Sequence, residues 1–98
     1  MTLMEDVKAA QAAQAVGEHL RGWRLILGLT AEQVADRAQI ARGTLRKLES
    51  GHPTVGFDVV LRVARALGVV DSLTDSLDPL RTDIGRARAG ELNRKRVR

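Results

Sequence analysis

Cysteine is absent from this chain. No disulfide can staple it and no thiolate can hold a metal, a composition that suits a reducing, cytoplasmic setting. Aromatic residues are nearly absent too: Trp23 and Phe57 are the only two. A core must therefore be assembled from Leu, Val, Ile and Ala. With 44% hydrophobic residues in 98, there is material for one compact domain plus tails. No apolar run approaches the ~18 residues that a membrane span needs. The opening Met1-Thr2-Leu3-Met4-Glu5-Asp6 has early acids and no basic start, so no secretory leader is expected. Nothing reads as a strand and no repeat is visible, which leaves an all-α class.

Catalytic equipment is equally sparse. The histidines are His19 and His52 alone, with no carboxylate cluster around them that suits a metal, and neither a GxGxxG nor a Walker loop occurs. Ser50, His52 and Asp58 lack the nucleophile elbow and oxyanion loop that a hydrolytic triad requires. No enzyme activity, cofactor or metal is expected, and His52 reads as a loop residue.

What the chain does have is positive charge, unevenly placed. Residues 1–77 carry nine Lys/Arg against nine Asp/Glu, whereas residues 78–98 carry seven against three, so the net charge of +4 lies wholly in the tail. Such a tail attracts polyanions, although solubilising tails have the same composition.

Helical periodicity organises the rest. Residues 7–27 read as helix, in one piece or two, with Val16, Leu20, Trp23 and Leu27 as an apolar stripe. Gly17 is a natural boundary between an arm (residues 1–16) and the domain proper (residues 17–77), and Gly28 suits a helix C-terminus. Thr30-Ala31-Glu32-Gln33 fits a capping box, followed by an inward face of Val34, Ala35 and Ala38. The apolar phase then breaks before Leu45 and Leu48, which predicts two short helices joined by a tight turn at Ile40. The second runs from Arg42 to Ser50. A fourth helix is expected over residues 57–67, with Phe57, Val60, Leu61, Ala64 and Leu67 inward. Asp71 is placed to cap a fifth, ending at Leu77. Beyond Asp78-Pro79 the periodicity fades into the tail, residues 78–98.

Two short helices at a tight turn are the geometry with which proteins enter the DNA major groove, the second helix meeting base edges near its N-terminus. Arg42-Gly43-Thr44-Leu45-Arg46-Lys47-Leu48-Glu49 has the composition for that second helix. Leu45 and Leu48 anchor it while Arg42, Arg46 and Lys47 point elsewhere. An arginine can grip guanine with two hydrogen bonds, worth roughly 1–3 kcal/mol of discrimination. The expected DNA surface is Arg42, Gly43, Thr44, Arg46 and Lys47 with Gln33. A plain solvated basic face would carry the same residue types.

The chain also resembles the Xre/Cro-repressor helix-turn-helix family over residues 25–69. The resemblance runs through Gly28-Leu29-Thr30, Val34-Ala35-Asp36-Arg37-Ala38, Ile40-Ala41-Arg42-Gly43-Thr44-Leu45-Arg46-Lys47-Leu48-Glu49-Ser50-Gly51 and Ala66-Leu67-Gly68-Val69. It implies a five-helix lambda-repressor-like bundle, and a regulator that binds a palindromic double-stranded operator as a homodimer. It also implies an ion pair between Arg24 and Glu49. Departures thin the chemistry. Ala31 stands where a phosphate-touching Gln is usual, and Gln39 where Gly turns the chain, at about 1–2 kcal/mol if the conformation is the same. Ala41 cannot cap, a loss of ~1 kcal/mol, and Gly43 has no side chain to read a base. Together these keep open a protein-interaction module that has lost DNA reading.

The stretch 42–49 followed by Gly51-His52-Pro53-Thr54 is similar to antitoxins that partner HipA-type toxin kinases, which implies a HipA-like toxin partner and an autoregulated operon. Leu73 and Leu77, with the Ala-rich arm, are the expected dimer contacts. Arg86, Arg88, Arg94, Lys95, Arg96 and Arg98 form an auxiliary surface open to several roles: a DNA arm, a dimer element, a toxin-binding segment or a disordered tail.

Overall fold

A computed structural model describes residues 6–96 and is helical throughout, with no strand among those residues. Five helices make the domain: α1 (Val7–Ile26), α2 (Ala31–Ala38), α3 (Arg42–Glu49), α4 (Phe57–Ala66) and α5 (Val70–Leu77). A 3-10 turn (Pro79–Arg81), α6 (Asp83–Ala87) and α7 (Gly90–Arg96) follow where no periodicity predicted an element.

The core is small and aliphatic, as the shortage of aromatics requires: Leu20, Val34, Ala35, Ala38, Leu45, Leu48, Val63 and Leu67. It joins α2 to α4, α1 to α3 and α2 to α3. Leu45, Val34 and Val63 are completely covered, each such side chain contributing on the order of 1.5–3 kcal/mol of burial.

Helix α1 differs most from expectation. It takes the one-piece alternative, running unbroken through Gly17, but of the expected stripe Val16, Leu20, Trp23 and Leu27 only Leu20 is buried; the other three are 41–47% exposed. The inward face is Ala13, Gly17, Leu20 and Arg24, residues four, three and four apart. Gly17 is a contact point, since a Cβ there would lie 2.3 Å from the carbonyl oxygen of Leu48 and 2.9 Å from that of Glu49. Its lack of a side chain lets two helix backbones touch.

Two smaller corrections concern the C-terminal half. Phe57, expected inward, opens α4 with 70% of its surface exposed, and Val63 takes the central place. Asp71 lies inside the first turn of α5 rather than at its cap, which is Val69. There its charge still complements the helix dipole.

Four helix ends share one closure. After α1, α2, α3 and α4 a left-handed residue donates its N–H back to the third-preceding carbonyl, and the next residue donates to the fifth. That is the Schellman pattern. Gly28, Gly51 and Gly68 supply the left-handed residue at three ends. At the fourth, the helix-turn-helix corner, it is Gln39 with φ 58° and ψ 47°, so the corner carries the strain of a side chain where glycine has none, about 1–2 kcal/mol. Arg65 of α4 partly offsets this by donating to the Arg37 carbonyl oxygen at 3.0 Å, satisfying one of the last carbonyls of α2.

Candidate nucleic-acid interface

The start of α2 is set locally. Thr30 Oγ1 accepts from the Gln33 amide at 3.1 Å, and Gln33 Oε1 accepts from the Thr30 amide at 2.9 Å. This capping box fixes where α2 begins. It also commits the Gln33 carboxamide oxygen to the protein, leaving Nε2 as the donor that side chain can offer a partner.

Helix α3 is amphipathic in the simplest sense. Leu45 and Leu48 are buried, Thr44 is half-buried, and Arg42, Gly43, Arg46 and Lys47 are exposed. Its first turn receives no side-chain cap from Ala41. Arg42 reaches only to 4.0 Å from Glu32, with both side chains about two-thirds exposed, an interaction worth little in water.

The anchoring of α3 to α1 is stronger. Arg24 Nε and Nη2 donate to Glu49 Oε2 and Oε1 at 2.8 and 3.0 Å, and Arg24 Nη1 donates to the Leu29 carbonyl at 3.3 Å. The two side chains are only 12% and 11% exposed. Hydrogen bonding to Glu49 raises the Arg24 pKa above the usual arginine value, desolvation opposing it and the charge of Glu49 adding to it. A forked pair with this burial fixes orientation as well as energy. Together with Gly17 it holds α1 and α3 in one relative position.

Between these helices lies an open concavity of about 670 Å³, walled by Arg21 and Arg24 of α1, Ala31 at the start of α2, and Arg42, Gly43, Arg46 and Ser50 at α3. The sequence pattern places Arg42, Gly43 and Arg46 on the DNA surface; the fold brings them to this concavity, while Lys47 lies on the exposed side of α3 outside it. Arg21 is not singled out by the sequence pattern. The available signal was its position three residues before Arg24 on α1.

The remaining predicted residues lie elsewhere. Leu73 is half-buried on α5 and Leu77 is 76% exposed. In the tail, Arg81 pairs with Asp75, Arg86 with Asp83 and Arg94 with Glu91, and Arg86 also donates to the Leu80 carbonyl. Arg88 is exposed. The side chains of Lys95 and Arg96, and Arg98 as a whole, lie outside the described residues. No group of His and carboxylates suited to a metal occurs among the described residues, and no helix there is long and apolar enough to cross a membrane.

Comparison with protein families agrees with this architecture: the helix-turn-helix domain family matches residues 15–77, from the middle of α1 to the end of α5. The chain belongs to that family, a class of DNA-binding regulators. No curated protein and no solved structure matches the chain.

Proposed function

We propose that the protein is a sequence-specific transcriptional repressor of the Xre/Cro type, which binds a palindromic operator as a homodimer in the cytoplasm without catalysing a reaction. The observation that carries this reading is α3, whose apolar side is locked to the core by Leu45 and Leu48 and whose free side presents Arg42, Arg46 and Lys47. Arg42 and Arg46 meet base edges from the major groove, Lys47 adds charge, and Thr44 and the Nε2 of Gln33 contribute shorter polar contacts. A single eight-residue helix gives few base contacts, so two copies on an inverted repeat are needed for tight binding. Leu77, exposed at the end of α5, belongs with Leu73 to the surface through which the copies meet.

A second reading, an antitoxin that also binds a HipA-like kinase toxin and represses its own operon, is favoured by the sequence of residues 42–54. The exposed Ile84 and Leu92 of the tail support it, being apolar surface that a partner would cover.

Selection of bound duplexes from a random library tests the repressor reading. An inverted repeat is the expected product, and Arg42→Ala should relax one base position in each half-site. A library that returns no motif, with binding insensitive to salt, would leave a protein-interaction module instead.

A further inference from the structure

Four arginines wall the concavity between α1 and α3, and they are not equivalent. Arg24 is neutralised by Glu49 in a forked, nearly buried pair. Arg42 has Glu32 within 4.0 Å. Arg21 and Arg46 have no ion-pair partner among the described residues, although both border the same space. Ala31, the first residue of α2, borders it as well and leaves it open where a longer side chain would fill it. Two uncompensated guanidinium groups bordering one open concavity make a site that attracts an anion.

The position of the site decides which anion. A helix with its side chains is about 10–12 Å across, and the major groove is about 12 Å wide. A helix seated in that groove therefore has its flanks against the two phosphate strands. The concavity is the flank of α3 that faces α1. Arg21 rises from α1, outside the groove-filling helix, so its reach is to the strand and not to the base edges. Gly17 and Arg24, about one turn on either side of Arg21, hold α1 against the end of α3. Arg21 is thus carried on a rigid mount, which limits the entropy lost when a ligand is gripped.

We infer that Arg21 of α1 holds a backbone phosphate of the bound DNA in this concavity. This inference rests on the DNA-binding reading above and extends it to a residue of α1, outside the α2–α3 pair.

The test compares Arg21→Gln, Arg21→Lys and Arg62→Gln with the unaltered chain, on a labelled mixed-sequence duplex of roughly 30 base pairs, about three turns of B-DNA. Arg62 lies on α4 opposite Asp58 and serves as a charge-matched control. Arg21→Gln should weaken binding roughly tenfold, the size of a lost hydrogen bond to a charged group. It should also lower the slope of log affinity against log salt by about one. Arg21→Lys should restore most of the slope, and Arg62→Gln should leave it unchanged. Coincident melting curves for the variants and the parent exclude unfolding as the cause. An unchanged slope in Arg21→Gln, or an equal fall in Arg62→Gln, overturns the phosphate role while leaving the DNA-binding reading intact. A parent chain that binds no duplex overturns both.

Discussion

At Gly17 and Gly85 a Cβ would strike a backbone carbonyl oxygen, and the surroundings of the two differ in kind. At Gly17 the added atom would strike the Leu48 and Glu49 carbonyls, from a helix more than thirty residues away in sequence. At Gly85 it would lie 1.7 Å from the Pro79 carbonyl oxygen, six residues away, in a turn knit by Asp78 and Thr82. The first close approach joins two helices of the core; the second shapes a local turn in a tail with no buried residue among those described. The domain is held by long-range apolar burial, whereas the tail is held by side-chain caps and exposed ion pairs that each contribute ~0–1 kcal/mol. The closer conflict, at Gly85, should therefore have the smaller effect on the stability of the domain.

The largest effect is expected at Gly17. Gly17→Ala should destabilise the domain by about 2–3 kcal/mol, as overpacking against backbone does. Gly22→Ala, five residues along the same helix with nothing within 4 Å, should raise stability by up to about 1 kcal/mol through helix propensity. Urea unfolding of the pair measures both, and gains at both positions would break the contrast. Next is Glu49→Gln, which keeps the shape of the link to Arg24 and removes its charge. A loss of roughly 1–3 kcal/mol is expected by the same measurement, because a nearly buried guanidinium is left uncompensated. The smallest is Gly85→Ala. Its turn must open, and hydrogen exchange at the Gly85 amide should quicken, while the unfolding free energy of the domain stays within ~0.5 kcal/mol. A large loss there would mean that the tail is part of the cooperative unit.

The same contrast governs how much of the structure is legible in the sequence. Helix α2 is legible because its start and its face are local: Thr30 and Gln33 form the capping box, and Val34, Ala35 and Ala38 recur at helical spacing. The corner at Gln39 is legible as a position, and its side chain announces the cost. The inner face of α1 is not legible. It consists of alanine, glycine, leucine and arginine, while the more conspicuous apolar residues Val16, Trp23 and Leu27 remain largely in solvent. A pattern of hydrophobicity cannot register a glycine chosen for close approach or an arginine chosen for a partner on another helix. Phe57 misleads for the opposite reason, as a large apolar residue at a helix start that points outward. The tail has no apolar period, so its helices rest on Asp78 and Thr82 as caps, short-range signals that are weak in isolation. At the candidate interface, Arg42, Gly43 and Arg46 follow from the placement of α3, whereas Arg21 joins the same concavity only with α1 set beside it.

The Arg24–Glu49 fork has a consequence in proton linkage. A cation whose pKa is raised by folding contributes stability that is fully present below its unfolded value and is lost only as pH rises through the folded one. For arginine both values lie beyond the alkaline range in which proteins are handled. The arginine half of the fork therefore neither takes up nor releases a proton on the alkaline side of neutrality. Moderate alkali should leave the helix that presents Arg42 and Arg46 as firmly mounted as at neutrality.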